Sequence, residues 1–113
     1  MSALLFACAV LYVTDGDTLR CRSGERVRLA GIDAPETAGH CRRGRVCTPG
    51  DPNRSKAALE RLASRQTLSC RKVGTSYNRV VAFCSVGGVD LSCAQVRAGQ
   101  AVKRYANKEK VCR

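Results

Sequence analysis

The sequence predicts a small, mainly β, α+β domain in which helices pack on a five-stranded Greek-key barrel stabilised by disulfides. A length of 113 residues suits a single domain. Short β-prone runs alternate with two helical stretches, with turn residues between them. Eight cysteines, an even number, are typical of a disulfide framework in an oxidising compartment.

The first half of the chain reads as a three-stranded meander, a loop and a helix. The strands are expected at 5–14, 18–22 and 26–32, joined by tight turns at Asp15-Gly16 and Ser23-Gly24. Residues 34–51 form a loop, because prolines and glycines interrupt any regular pattern. Asp51 and Pro52 then supply the N-cap and first position of a helix over 53–64.

The second half repeats the pattern with one strand fewer. A hairpin is expected from strands 67–73 and 79–86, followed by a helix that Asp90 caps and Gly99 ends. The basic segment 102–113 is ambiguous, with helix as one option. The order of three strands, a helix, two strands and a helix favours the OB-fold, a five-stranded Greek-key barrel. We expect the whole chain to form one domain, in which residues 1–4 are a leader or cloning remnant and residues 107–113 are a basic tail.

Charge and hydropathy narrow the class of partner. A protein with a net charge of +11 and a pI near 9.8 attracts polyanions, most commonly nucleic acid. Charge alone is equally compatible with a basic protein that does not bind nucleic acid. The apolar run 1–13 is too short to cross a membrane and has no basic segment before it. Because the cysteines indicate an oxidising compartment, we expect an exported protein, secreted or periplasmic. We expect no membrane partner, and a monomer is the default.

Two runs separated by eight residues carry the candidate chemistry, Val13–Leu19 and Arg28–Glu36. If Ser23-Gly24 is a two-residue loop, residue 19 faces 28 and residue 17 faces 30, which puts Asp17 and Arg28 on one face of the sheet. Asp17 and Asp33 suit a hard cation that prefers oxygen ligands. Glu36 suits a general base, and Arg28 suits bidentate binding of a phosphate.

Each of these features has a plainer interpretation when taken alone. The Asp15–Asp17 segment reads as a tight turn, the Asp33–Glu36 segment as a strand exit, and Arg28 as a residue on a solvated strand face. Their joint occurrence favours chemistry, because converging charges are unfavourable to desolvate and crowd together.

The runs VTDGDTL and RVRLAGIDAPE resemble the staphylococcal-nuclease-like (thermonuclease) family. Two further segments, 77–82 and 89–99, resemble that family's later strand and helix, so the likeness spans about residues 8–106. It implies a five-stranded OB-fold and a Ca²⁺-dependent, sugar-nonspecific nuclease that cleaves DNA and RNA to 3′-phosphates. One departure is Asn78, where the family usually has glycine; because Asn tolerates left-handed backbone angles, we expect the turn to survive.

The resemblance also implies roles for particular residues. Asp17, Asp33 and the backbone carbonyl of Ala34 match calcium ligands, and Asp15 matches an acidic position behind them. Glu36 matches the proposed general base. The phosphate-binding arginines match Arg28 and Arg79, and the tyrosines that contact nucleotides match Tyr77 and, less closely, Tyr105.

The cysteines allow partial pairing from the sequence. Cys70 and Cys84 are symmetric about position 77, so they should lie opposite each other in the second hairpin, within disulfide range. A second bridge, Cys41–Cys47, would close a short basic loop. The remaining four allow three connectivities, of which we favour Cys8–Cys112 and Cys21–Cys93.

Other roles for the cysteines and for the histidine are less favoured. A zinc site is the competing interpretation, but the chain has no CxxC pair and only one histidine, His40. We expect His40 to be a surface residue, and no cysteine to be a catalytic thiol.

The leading hypothesis is an exported Ca²⁺-dependent nuclease. Calcium would bridge Asp17, Asp33 and the scissile phosphate, and DNA or RNA would be the substrate. The loop arginines, Arg42, Arg43 and Arg45, would add sequence-independent affinity. The alternatives are a non-catalytic OB-fold module that binds nucleic acid and a secreted interaction domain with no nucleic-acid role.

Overall fold

Eight strands, two helices and one 3₁₀ turn make up the part of the chain that the computed structural model describes, residues 4–37, 41 and 43–113. In chain order they are β1 (Leu5–Asp15), β2 (Thr18–Cys21), β3 (Arg26–Leu29), β4 (Ile32–Asp33), α1 (Pro52–Ala63), β5 (Thr67–Ser76), β6 (Arg79–Val86), β7 (Val89–Asp90), α2 (Leu91–Arg97), β8 (Val102–Lys103) and the 3₁₀ turn (Lys108–Lys110).

Five of these strands close into a barrel. β1 pairs antiparallel with β2 and β5, β2 with β3, and β5 with β6. Parallel pairing of β3 with β6 closes the ring. Leu19, Leu29 and Leu68 are fully buried in the core, and Leu59 of α1 is buried with them. The predicted α+β class with a five-stranded barrel and two helices is confirmed, and the architecture is consistent with an OB-like barrel.

Both helices begin where the sequence predicts. Asp51 Oδ1 accepts hydrogen bonds from the backbone N–H groups of Asn53 and Arg54 at 2.8 and 3.3 Å. Asp90 Oδ1 accepts from the Cys93 N–H at 2.9 Å. These carboxylates satisfy N–H groups that have no partner within the first turn of a helix.

The third predicted strand, 26–32, is wrong as a continuous strand. β3 ends at Leu29, and β4 begins at Ile32 after a turn in which Gly31 has φ +76°. A Cβ at Gly31 would lie 2.6 Å from Cγ2 of Val111, so the C-terminal segment leaves room only for glycine. The turn directs β4 out of the barrel sheet to pair with β8, where Asp33 lies opposite Val102.

The predicted register between β2 and β3 is wrong by one residue. Leu19 pairs with Val27 instead of residue 28, because the connection is a three-residue loop, 22–24, instead of a two-residue one. The Cys21 N–H donates to the Glu25 carbonyl at 2.8 Å, and Gly24 takes φ +102°. Asp17 nevertheless reaches Arg28, because it lies in the turn before β2 and does not follow the strand alternation.

The second hairpin is longer than predicted and contains a bulge. Cys70 lies opposite Cys84 as expected, and the register shifts by one residue between Lys72 and Gly74. The two-residue turn survives the absence of glycine, but its left-handed residue is Tyr77, with φ +56°, instead of Asn78.

The structure contains four disulfides, of which two confirm the predicted pairs, Cys41–Cys47 and Cys70–Cys84. The favoured pairs Cys8–Cys112 and Cys21–Cys93 are wrong. Cys8 instead bonds Cys21, because β1 and β2 are neighbours and bring the two Cα atoms to 5.2 Å. Cys93 bonds Cys112, which fixes the C-terminal segment to α2. Four bridges in a chain this short indicate an oxidising compartment.

The two ends of the chain complete the description. The segment 102–113 holds only β8 and the 3₁₀ turn. Leu4 accepts a backbone hydrogen bond from Lys72 at 2.7 Å, whereas residues 1–3 of the expected remnant, His40 and Arg42 lie outside the described residues. No helix in the described part of the chain has the length and apolarity needed to span a membrane.

Candidate functional site

A cavity of about 830 Å³ opens beside the turns that precede β2 and follow β3. Its lining includes every side chain to which the sequence assigns a catalytic, acidic or nucleotide-contacting role: Asp15, Asp17, Arg28, Asp33, Glu36, Tyr77, Arg79 and Tyr105. Three further arginines, Arg26, Arg45 and Arg104, line the same cavity.

Asp17 is held by a turn that packs tightly against α1. A Cβ at Gly16 would lie 2.8 Å from Ser55 Cβ and 2.9 Å from Ala34 Cβ, so only glycine allows the approach. The Asp17 carboxylate accepts hydrogen bonds from Thr18 Oγ1 at 2.8 Å and from the Ala34 N–H at 2.9 Å. Burial raises the pKa of Asp17, but the charge of Arg28 and these hydrogen bonds outweigh burial and leave that pKa below its ordinary value.

The Asp15 carboxyl is hydrogen-bonded to Asp17, and its pKa is shifted in the opposite direction. Asp15 Oδ1 accepts the backbone N–H of Asp17 at 3.2 Å. Burial, a side-chain hydrogen bond with Asp17 and the negative charge of Asp17 together raise the pKa of Asp15 to about 7. The negative charge of this pair therefore resides mainly on Asp17, the member that faces Arg28.

Arg28 joins the two acidic segments of the sequence. Its Nη2 lies 3.0 Å from Asp33 Oδ1 and 3.5 Å from Asp17 Oδ2. Its Nη1 donates to the Ile32 carbonyl at 3.0 Å, which fixes the plane of the guanidinium. Because Arg28 is only 9% exposed and Asp33 only 1%, this ion pair is little screened by water.

Asp33 is also bound from the loop before α1 and from the segment after β8. Arg45 Nη2 lies 3.0 Å from both of its carboxylate oxygens, and Thr48 Oγ1 donates to Oδ2 at 2.6 Å. Arg104 Nη1 lies 3.2 Å from the same Oδ2. Glu36 forms an ion pair with Arg45 Nη1. Burial lowers the pKa of Arg45, but the charges of Asp33 and Glu36 outweigh burial and raise it overall.

Arg79 differs from Arg28, Arg45 and Arg104, each of which pairs with a carboxylate. Its guanidinium donates to the Ser76 carbonyl and to Ser76 Oγ, both at 3.4 Å, and within the described ranges no ion pair joins it to a carboxylate. Burial and the nearby charge of Arg28 lower the pKa of Arg79. A half-buried cation in this setting favours a bound anion.

Two tyrosine rings lie at the mouth of the cavity. The Tyr105 ring centre is 5.2 Å from Cζ of Arg28 and 5.0 Å from Cζ of Arg104, both cation–π distances. The Tyr77 ring lies 6.0 Å from Cζ of Arg79 and is 78% exposed. Both rings can therefore stack on an incoming planar group.

Sequence reasoning missed the site roles of Arg104 and Thr48, and it assigned Arg45 only to surface affinity. Arg104 reaches Asp33 because β8 pairs with β4, and two-residue strands leave no periodic pattern to detect. The sequence gives one signal for Arg45: it lies four residues after Cys41, in a loop predicted to be closed by a disulfide. That position does not show where the side chain points.

The carboxylate oxygens in the cavity are the kind of ligand that a hard cation prefers, but those of Asp33 already accept hydrogen bonds. Asp17 and Asp33 line the cavity and could hold Ca²⁺ through oxygen atoms, with water completing the coordination, whereas Ala34, the third expected ligand, is not among the residues that line it. No group of three His, Cys, Asp or Glu side chains in the described segments is arranged to hold a metal ion. Since arginines and Thr48 already occupy both Asp33 oxygens, a cation at Asp33 must displace at least one of them.

No protein-family model matches the chain, and no curated protein matches it.

Proposed function

We propose that this protein is a Ca²⁺-dependent nuclease that hydrolyses phosphodiester bonds of DNA and RNA, as its resemblance to the staphylococcal-nuclease-like family implies. The observation that carries the proposal is Arg79. It lines the cavity that holds Asp17 and Arg28, it is half-buried, and no carboxylate pairs with it among the described residues. A bound anion would stabilise that charge, and the basic character of the protein favours the phosphate groups of nucleic acid.

Arg28 and Arg79 are the groups proposed to bind the phosphate. Planar guanidinium groups bind phosphate oxygens through two parallel hydrogen bonds. Because each arginine raises the positive potential at the other, an anion placed between them is stabilised by both. The same contacts offset the negative charge that grows on phosphorus-bound oxygens in the transition state.

Glu36 is the proposed general base. Its side chain is 29% exposed at the cavity edge, where water can approach it. A carboxylate in that position can take the proton of an attacking water once it is free of its ion pair. Ca²⁺ bound by Asp17, Asp33 and the Ala34 carbonyl would supply electrostatic stabilisation of the phosphate charge.

Affinity for nucleic acid without sequence preference follows from charge and exposed rings. The net charge of +11 supports contacts to the phosphate backbone. Tyr77 and Tyr105, 78% and 47% exposed, would stack on bases of either DNA or RNA. We further propose that the protein acts as a secreted or periplasmic monomer, in keeping with its four disulfides.

The test is hydrolysis of labelled single-stranded DNA and RNA in calcium and in chelator, with Arg79→Ala as the site variant. Removing one group that stabilises developing charge is expected to lower turnover by about 100-fold or more. Arg61→Ala is the matched control, because Arg61 is an exposed arginine of α1 outside the cavity. Equal turnover in the Arg79 and Arg61 variants would contradict the proposed role of Arg79.

A non-catalytic nucleic-acid-binding module is the second candidate function. The observation that favours it is the ion pairing of Asp33 and Glu36 with Arg45, which ties up two groups that hydrolysis needs. Under this alternative the protein binds DNA with the same affinity in calcium and chelator and never cleaves it. The hydrolysis assay above separates the two.

A further inference from the structure

The loop between Glu36 and α1 contains a ring closed by the disulfide Cys41–Cys47. Within that ring Arg43 is exposed and has no contact with the cavity. Arg45 is partly buried, with 26% of its side chain exposed, and lies against the acidic groups. The same loop thus carries a matched pair of arginines, one inside the site and one outside it.

Arg45 connects three groups of the proposed nuclease site. Its Nη1 pairs with Glu36, and its Nη2 lies 3.0 Å from each oxygen of Asp33. The same Nη2 donates to the Tyr105 hydroxyl at 2.6 Å. One guanidinium therefore touches the proposed base, a proposed cation ligand and a proposed nucleotide contact.

The acceptor capacity of Asp33 is already used. Its Oδ1 receives Arg28 and Arg45, and its Oδ2 receives Arg45, Arg104 and Thr48. A carboxylate offers about four lone-pair positions, so these contacts leave none for a further ligand. A cation and this full set of donors cannot share Asp33.

Of the three arginines on Asp33, Arg45 is the one whose guanidinium is not also bonded to a backbone carbonyl among the described residues. Arg28 is 9% exposed and is also fixed to the Ile32 carbonyl at 3.0 Å. Arg104 follows a paired strand and donates to the Val46 carbonyl at 2.8 Å. Arg45 lies on a loop outside the sheet, and its guanidinium contacts are all to side chains.

We propose that Arg45 competes with a divalent cation for Asp33 and holds Glu36 in the same contact, so that cation binding and release of the base are coupled. The proposal rests on the proposed function in taking Ca²⁺ as the cation. By linkage, whatever favours the Arg45 contacts weakens calcium binding, and calcium binding frees Glu36. The disulfide keeps the displaced guanidinium near the cavity, where it can meet a phosphate.

The test is calorimetric titration of the oxidised protein with calcium chloride. Arg45→Ala and Arg45→Gln are expected to bind calcium about tenfold more tightly than the wild type, or more, a typical coupling between competing sites. Arg43→Ala removes the same charge from the same loop and is expected to change the affinity by no more than about twofold, since exposed charges are well screened. Circular dichroism confirms that each variant is folded.

Two results would overturn the inference. One is equal calcium affinity in the Arg45 and Arg43 variants. The other is the absence of calcium binding in wild type and in both Arg45 variants. A nuclease assay on the same samples keeps this inference separate from the proposed function: tighter calcium binding in the Arg45 variants without any hydrolysis would support the competition and contradict the nuclease.

Discussion

Replacing Gly16 by alanine tests how the turn that carries Asp17 is positioned. Gly16 does not have a positive φ, so the alanine backbone is permitted and the effect is one of space. The added Cβ would lie 2.8 Å from Ser55 Cβ and 2.9 Å from Ala34 Cβ, with Ser55 Oγ closer still. Ser55 is fully buried and donates to the Gln100 carbonyl at 2.7 Å, so moving its hydroxyl breaks that hydrogen bond.

The size of the effect follows from these contacts. Overpacking a tight contact costs about 1–3 kcal/mol, and leaving the partly buried Gln100 carbonyl unpaired costs about 1 kcal/mol more. The free energy of unfolding should therefore fall by about 2–4 kcal/mol. For a domain of this size, at roughly 4 °C per kcal/mol, Tm should fall by about 8–16 °C.

Thermal unfolding of the oxidised protein, followed by circular dichroism, measures this change. Gly74→Ala is the matched control, because Gly74 has neither a positive φ nor any atom within 4 Å of an added Cβ. A Tm for Gly16→Ala that equals the Tm of the control would refute the close approach of the turn to α1.

Two further substitutions test the supports of the barrel. Replacing both Cys8 and Cys21 by alanine removes a fully buried disulfide. In a denaturant titration the free energy of unfolding should fall by about 2–5 kcal/mol. An unchanged midpoint and slope would contradict the pairing. Gln95→Leu removes the side-chain N–H groups that donate to the carbonyls of Gly16 and Ser55 at 2.8 and 3.0 Å. In the same titration the free energy of unfolding should fall by about 1–3 kcal/mol. Wild-type stability would show that neither hydrogen bond contributes.

The elements predicted from sequence were those with a local signal. Asp51 and Asp90 identified the starts of both helices, because a capping carboxylate acts within three residues of its own position. The symmetry of Cys70 and Cys84 about the turn gave the correct bridge, because their hairpin register depends only on that turn and its bulge.

The parts that sequence reasoning missed depend on contacts between distant segments. Whether the loop after Cys21 has two or three residues shifts the register of the following strand, and Ser23-Gly24 suits both. The pairing of β4 with β8 brings Arg104 to Asp33, 71 positions away in the sequence. Two-residue strands have no periodic pattern from which this pairing could be predicted. Arg45 shares its loop with Arg43, and only the three-dimensional path shows which of them enters the cavity.

Hydrolysis of phosphodiester bonds in this cavity is tested most directly by single-turnover cleavage of labelled single-stranded DNA with Glu36→Gln in calcium. DNA affinity is measured on the same sample. We expect cleavage to fall by about 100-fold or more, because the proton acceptor is lost. We expect DNA affinity to stay within about twofold, because the phosphate contacts come from arginines. Cleavage at the wild-type rate would contradict hydrolysis at this site with Glu36 as the general base.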